Sequence, residues 1–411
     1  MKQKKTVKWK KLDNASKIFP PTTTNIDTKV FRLSCELYDA VEPAILQNAL
    51  DLTIESFPFY KSILRSGAFW YYFESSELKP KVEIETLPVC APIYIRDRRN
   101  LLFRVIYYNK RINLEVFHAL TDGAGSMWFM ETLIYHYITI RYKDRLSSDI
   151  PKIIHKASIS EKMDDSFEKI HNKIINKNIE SKRLKTKAYH IRGSRNDENR
   201  TRLIEGSMSV KQVLDLAHRY NTTLTVFLTS LFFYSIYKEM PSKKIINPVV
   251  LSVPINLRQY YESATARNFF STMNVSYDFN KNNTEFESII ESVDTCFKKE
   301  LSKEQIAIHL HRLISLEKNP FARVVPLRLK DLTLKIANYF NDRGITTTIS
   351  NIGQIKMPAG FENFIRQFSI CVAARRPQIT LCSYKDNLVI SFTSPFEETD
   401  IQRTFFKYLT S

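Results

Sequence analysis

Residues 113–130 read NLEVFHALTDGAGSMWFM. A strand-like run closes at Phe117-His118, Ala119-Leu120-Thr121 forms a short loop, and Asp122-Gly123 opens a helix rich in aromatic side chains. A histidine at a strand terminus is held by the sheet, yet its ring can face a cleft. With an unperturbed pKa of about 6.5 it can act as a general base near neutrality. Asp122, four residues on, can cap the helix N-terminus or pair with a distant arginine. Either role fixes the loop that carries His118. Gly123 and Gly125 are two of only 8 glycines in the chain, which points to close backbone approach or a positive φ at this turn.

Outward from this stretch, residues 101–108 and 111–117 form the strongest hairpin signal, joined by Asn109-Lys110. Upstream, residues 1–28 read as extended and polar, 30–37 as a strand, 43–56 as an amphipathic helix with Pro43 in its first turn, and 59–65 and 68–74 as aromatic strands. Downstream, 123–142 reads as helix. A second series then offers strands at 203–209, 246–254, 269–279, 345–351, 367–374, 378–384 and 387–394. Helices are expected at 209–220, 222–239, over 284–317, at 331–341 and at 399–409. Strands and helices mix without strict alternation, which suggests α+β sandwich layers rather than a doubly wound sheet.

The chain of 411 residues is long enough for two halves. With 8 glycines there is no GxGxxG and no GxxxxGK[ST], which argues against a Rossmann or P-loop nucleotide site. The net charge of +18 leaves three readings open: an anionic macromolecule or membrane surface, an anionic small molecule such as coenzyme A, or a solvated lysine-rich surface. The basic residues are spread widely along the chain, and without zinc spacing, RNP-like runs or a basic heptad helix no nucleic-acid partner is expected. Cys35, Cys90, Cys296, Cys371 and Cys382 are odd in number and far apart, as reduced buried thiols would be. The basic start MKQKKTVKWKK lacks a secretory apolar region, and Leu224 to Tyr237 is too short to span a bilayer. These features suggest a cytoplasmic protein. His309 and His311 lie two apart on a helix and cannot share a metal, His136 and His218 read as surface positions, and no metal is expected. The absence of GxSxG removes an α/β-hydrolase triad.

His118-Ala-Leu-Thr-Asp122-Gly123 resembles the HHxxxDG signature of the chloramphenicol acetyltransferase-like superfamily. Together with KLDNASKIFPP near the N-terminus it is most similar to bacterial alcohol acetyltransferase-like proteins. The first histidine of the signature is replaced by Phe117, which weakens a condensation-domain reading more than a free acyltransferase reading. Leu251-Ser-Val-Pro-Ile-Asn-Leu-Arg258, followed by Asn268-Phe-Phe, resembles the segment that supplies an arginine to the motif aspartate, which implies that Arg258 pairs with Asp122. Thr346-Thr-Thr-Ile-Ser350-Asn351-Ile-Gly353 resembles the strand by the active-site tunnel, which implies Ser350 or Asn351 as an oxyanion donor. The plant DFGWG motif is absent.

The resemblance implies two similar α/β sandwich halves with an active-site tunnel at their interface. The halves are expected at 1–150, carrying the motif, and at 203–411, with a charged crossover over 151–202. It implies acyl transfer from a thioester of coenzyme A or of an acyl carrier protein to an alcohol or amine, with His118 as general base, Asp122 as a structural partner, Gly123 and Arg258 as support, and no bound cofactor. A catalytically inactive binding or scaffold protein is the alternative. Peripheral association with a membrane surface stays open beside both.

Overall fold

The computed structural model describes residues 9–146, 158–167, 187–241, 246–318 and 324–410. Half of the crossover expected over 151–202, residues 151–157 and 168–186, lies outside the described residues. The first part of the chain builds β1 (Trp9–Lys11), a helical turn that runs into α1 (Phe19–Thr22), β2 (Val30–Leu37), α2 (Pro43–Ser56), β3 (Ser62–Ser66), β4 (Tyr71–Ser75), β5 (Val82–Ile84), β6 (Phe103–Tyr108), β7 (Arg111–Phe117) and α3 (Gly123–Arg141). After the short α4 (Ile159–Lys162) come β8 (Arg202–Ser209), α5 (Val210–Arg219), α6 (Leu224–Lys238), β9 (Val249–Asn256), β10 (Phe270–Tyr277), α7 (Phe286–Glu300), α8 (Lys303–Lys318) and α9 (Leu327–Arg343). The chain ends with β11 (Thr347–Ile355), β12 (Ile365–Val372), β13 (Gln378–Tyr384), β14 (Asn387–Ser394) and α10 (Asp400–Thr410).

Two sheets organise the molecule, with the small antiparallel sheet β1-β4-β3 at one side. One has the order β12-β2-β7-β6-β5, the other β10-β9-β11-β13-β14-β8. In the first, β2 and β7 run antiparallel with Val30 opposite Phe117, so the end of β7 is set by β2. β12 comes from late in the chain and pairs with β2, Phe368 opposite Cys35, which stitches the C-terminal part onto the N-terminal sheet. In the second sheet β9, β11 and β13 are mutually parallel.

β13 explains why the layers cannot separate. Its residues alternate between faces: Ile379 and Leu381 belong to the core of the second sheet, whereas Cys382 and Tyr384 belong to the core of the first. The Thr380 hydroxyl donates to the Ile370 carbonyl of β12 at 2.5 Å. The first core closes with α2 and α3 through Leu46, Phe129 and Tyr137, and the second with α6 and α10 through Phe232 and Phe405.

Three local expectations change. Residues 15–22 are helical rather than extended: the Asp13 carboxylate accepts the Ser16 N–H at 2.8 Å, capping the turn, and Pro20 and Pro21 sit in the first turn of α1, where a missing N–H costs nothing. The strand expected at 59–65 starts at Ser62, because Pro58 opens a 3-10 turn over Pro58–Lys61. Helix α9 begins at Leu327, just after Pro326, earlier than its apolar periodicity indicates. Of the cysteines, all free, Cys296 is only half-buried and the other four are buried.

A buried charge cluster braces β7. The Glu115 carboxylate, fully buried, accepts from Arg32 Nε at 2.8 Å, from Arg104 Nε at 2.6 Å and from the Cys90 N–H at 2.8 Å. Arg32 also pairs with Glu85 at 2.6 Å. Burial opposes the charge on Arg32, but Glu115, Cys371 and Glu85 together outweigh it and the guanidinium is held protonated more firmly than usual. Removing one partner of such a cluster leaves a charge uncompensated in low dielectric. Glu115→Gln is expected to lower unfolding free energy by about 3 kcal/mol, read as a lower urea midpoint; an unchanged midpoint would dismiss the cluster as a brace.

Candidate active site

The loop that carries His118 is tied down before any side chain is considered. The His118 N–H donates to the Lys29 carbonyl at 2.8 Å, continuing the β2–β7 ladder past the strand end, and the Leu120 N–H closes onto Phe117 at 2.9 Å. Phe117, in the place of the first histidine of the signature, is fully buried and stacks on Tyr94 with centroids 4.9 Å apart. It fills the core on its side of the sheet, and His118 turns toward Asn268 and Phe270 at the start of β10.

Aromatic rings set the plane of the imidazole. Phe19 of α1 stacks on it at 4.4 Å and 18°, Phe31 meets it edge-on at 5.1 Å, and Phe270 of the second half lies tilted at 5.4 Å. The residue remains partly exposed. Asn268, also from the second half, decides the tautomer. Its amide Nδ2 donates to the His118 carbonyl and to Ser16 Oγ, each at 3.0 Å, so its Oδ1 is the atom 3.1 Å from His118 Nδ1. An oxygen there accepts, so Nδ1 carries the proton and Nε2 keeps its lone pair. Burial pushes the pKa of His118 below its ordinary 6.5, against the smaller opposing pulls of its own backbone, Asp122 and Asn268. The imidazole is therefore neutral at pH 7.

Asp122 does not reach toward that ring. Its Oδ1 accepts the Gly125 N–H at 2.9 Å, the capping bond of α3. Its Oδ2 accepts the Phe269 N–H and Arg258 Nη1, each at 2.8 Å. Arg258 stands in the 3-10 turn after β9, where the Asn256 side chain accepts its N–H at 3.1 Å. It also donates from Nε to the Thr265 carbonyl at 3.0 Å and from Nη2 to the Arg267 carbonyl at 2.6 Å, so one guanidinium shapes the whole 265–269 loop. Asp122 and Arg258 are both almost fully buried.

Of the two glycines, Gly125 is where backbone approach matters. A Cβ there would lie 2.0 Å from the Ala266 carbonyl oxygen and 2.3 Å from Thr121 Oγ1, whereas one at Gly123 would meet only the Ile352 side chain at 3.1 Å. Thr121 Oγ1 donates to that same Ala266 carbonyl at 2.5 Å. Neither glycine has a positive φ.

The structure thus brings His118, Asp122, Gly123 and Arg258 together. It does not join Ser350 or Asn351 to them by any hydrogen bond among the described residues. The Asn351 amide donates to Thr225 Oγ1 at 3.1 Å and its oxygen accepts the Gly353 N–H at 2.9 Å. β11 touches the motif through Ile352. Sequence reading missed a buried relay behind the histidine. Ser16 Oγ, which accepts from Asn268, lies 2.5 Å from Asp13 Oδ1 and 2.8 Å from the Ala119 carbonyl, and Arg267 pairs with Asp13 at 3.4 Å. The Asp-x-x-Ser spacing of a helix cap was the available signal for the first two residues. Asn268 stands in the Asn268-Phe-Phe stretch singled out by resemblance, without a role read for its side chain, and nothing local marks Arg267. Among the described residues no cluster could hold a metal.

Comparison with family models finds no match, and no curated protein is detectably similar in sequence. Solved structures are similar over nearly the whole chain. The Fusarium sporotrichioides TRI101 structure complexed with coenzyme A and T-2 has a TM-score of 0.63 at 10% identity, covering 97% of each chain. A starter condensation domain of rhizomide synthetase RzmA in complex with C8-CoA scores 0.62 at 11% identity, covering 98% of this chain and 94% of its own. Polyketide synthase associated protein 5 from Mycobacterium tuberculosis scores 0.58 at 12% identity, with 97% and 96% covered. The chain therefore has the chloramphenicol acetyltransferase-like fold shared by condensation domains and acetyltransferases of this kind.

Two variants separate the roles described above. Gly125→Ala is expected to lower the melting temperature by several degrees, because a backbone carbonyl must move, while Gly123→Ala is nearly neutral; equal effects would refute the close approach as its cause. Asp122→Asn keeps the shape but strips the charge facing buried Arg258, a loss of about 3–5 kcal/mol, measured by chemical denaturation. A variant as stable as the parent would deny the pair its structural role.

Proposed function

We propose that the protein is an acyltransferase that moves an acyl group from a thioester of coenzyme A or an acyl carrier protein to a hydroxyl or amine acceptor, with His118 as general base. The observation that carries this reading is the state of the imidazole. It is neutral, its Nδ1–H is held by Asn268, and Nε2 is left with a free lone pair at the junction of the two halves.

An alcohol is a poor nucleophile at neutral pH. Nε2 accepts its proton as the oxygen attacks the thioester carbonyl carbon. The negative charge then rests on the former carbonyl oxygen, and on collapse the C–S bond breaks. The proton on Nε2 passes to the departing sulfur, giving ester, or amide from an amine, and free thiol. The imidazolium formed in between is stabilised through Nδ1 by the Asn268 oxygen. Asp122 takes no proton, since both its oxygens are occupied by N–H donors. For the oxyanion, the Ser350 hydroxyl is the better of the two residues on β11. It has no hydrogen-bond partner among the described residues, whereas both polar ends of Asn351 are engaged. The fold shared with enzymes crystallised with coenzyme A or C8-CoA supports a thioester donor. In this reading the residues up to 150 and those from 203 onward are the two halves, the donor and acceptor approach His118 along their interface, and the enzyme works in the cytoplasm.

The test is thiol release from a panel of acyl-CoA donors against alcohols and amines. His118→Ala is expected to reduce turnover by about a hundred- to ten-thousand-fold with an unchanged melting curve. A mutant with near-normal turnover refutes the base. A parent protein that releases no thiol with any pair favours a binding or scaffold role instead. The pH profile supplies a second check. A base with a depressed pKa stays unprotonated further into acid, so kcat/KM should be flat through neutrality and fall only below an inflection under pH 6.5. An inflection above that value would contradict the assignment.

A further inference from the structure

Helix α9 is amphipathic the wrong way round for a helix that covers a core. Its inner face, Leu327, Asp331, Leu334, Asn338 and Asp342, meets the body of the protein. Its outer face carries Leu329, Leu332, Ile336, Tyr339 and Phe340, which are 49–63% exposed. Successive turns bring these five side chains into one stripe along a helix of about 25 Å. The helix is rigidly mounted at both ends. The Leu327 N–H donates to the Ala68 carbonyl at 2.9 Å, Tyr71 Oη donates to Asp331 at 2.7 Å, and Asp342 pairs with Arg376 at 2.6 Å.

The charge around the stripe is net positive. Both acids of α9 are on its inner face and paired, Asp331 with Arg96 and Asp342 with Arg376 and Arg375. Arg328 and Lys335 flank the stripe and, with Arg96, line a cavity of about 770 Å³ at the foot of the helix. Asp97 and Asp331, also on that cavity, partly offset them and leave the lining with one net positive charge. Beside the same end of α9, Phe69 and Trp70 are 41% and 49% exposed on the turn that accepts Lys330 Nζ at the Phe69 carbonyl, 2.8 Å away.

We propose that the outer face of α9, with Trp70 and the cavity of Arg96, Arg328 and Lys335, docks on an anionic lipid bilayer, the apolar stripe entering the interfacial layer and the cations meeting lipid phosphates. An in-plane helix with apolar and basic residues in this arrangement is the physical signature of interfacial binding, and Trp and Tyr favour the headgroup level. The stripe is convex, which suits a soft medium better than a rigid protein groove. The docking does not depend on the acyl-transfer reading. It has a bearing on it, because α9 packs against α1, whose Phe19 stacks on His118.

The test is co-sedimentation of the full chain with large unilamellar vesicles of 30% phosphatidylglycerol in phosphatidylcholine, and of phosphatidylcholine alone. The protein is expected to pellet with the former, to be released by 0.5 M NaCl, and to stay in solution with the latter. Ile336→Asp/Phe340→Asp, both exposed and so compatible with folding, should weaken binding at least tenfold. Arg328→Ala/Lys335→Ala should weaken it about thirtyfold, with circular dichroism unchanged in both. Three results would overturn the proposal: no pelleting of the parent protein with anionic vesicles, equal pelleting of the Ile336→Asp/Phe340→Asp variant, or a parent dimer in light scattering that this variant converts to monomer. Loss of binding to an anionic acyl carrier protein with vesicle binding intact would likewise assign the face to a protein partner.

Discussion

The arrangement at the centre of this molecule depends on one buried carboxylate. Asp122 sits at the start of α3 in the first half. Its oxygens are shared among the Gly125 N–H of its own helix and two donors from the second half, Arg258 and the Phe269 N–H. A lone carboxylate in that position would be costly to desolvate; sharing it among two N–H groups and a guanidinium offsets the cost. Because Arg258 also grips the carbonyls of Thr265 and Arg267, the same interaction shapes the loop that delivers Asn268 to the histidine. The helix cap, the contact of α3 with the 265–269 loop and the tautomer of His118 are thus consequences of one electrostatic joint.

The histidine illustrates how packing and chemistry act together. Three aromatic rings fix its plane and lower its pKa by excluding water, and an amide oxygen locates its proton. The same enclosure narrows the approach to it. Phe19 belongs to the short α1, which packs against α9, so the segment that covers one face of the imidazole also touches the surface helix with the exposed apolar stripe. The chemistry of the centre and the character of that surface meet at one segment of about four residues.

Much of the site could be read in the linear chain because its core is local. Strand, loop, His118, Asp122 and the cap of α3 lie within a dozen residues, and their side-chain types state their chemistry. Most elements of the second half were equally legible, since their apolar periods are regular. The errors fell where a short-range rule competed with another. Pro20-Pro21 reads as a turn until the Asp13 cap makes it the first turn of a helix, and Pro58 delays a strand that aromatic content would start earlier. Ser350 and Asn351 rest on likeness alone, and the β11 side chain that lies against Gly123 is that of Ile352.

By itself, then, the sequence determined that a histidine ends a strand, that an aspartate caps the following helix and that a gly-poor α+β chain of this length forms layered sheets, because each of these follows from neighbours along the backbone. Only the tertiary structure decided which nitrogen of His118 carries the proton, that Gly125 and not Gly123 is sterically required, that Asp13, Ser16, Arg267 and Asn268 form a relay behind the ring, and that β12 completes the sheet of the other half. Those outcomes depend on partners 100 or more residues away, and no local pattern encodes a contact whose two sides meet only after the chain has folded.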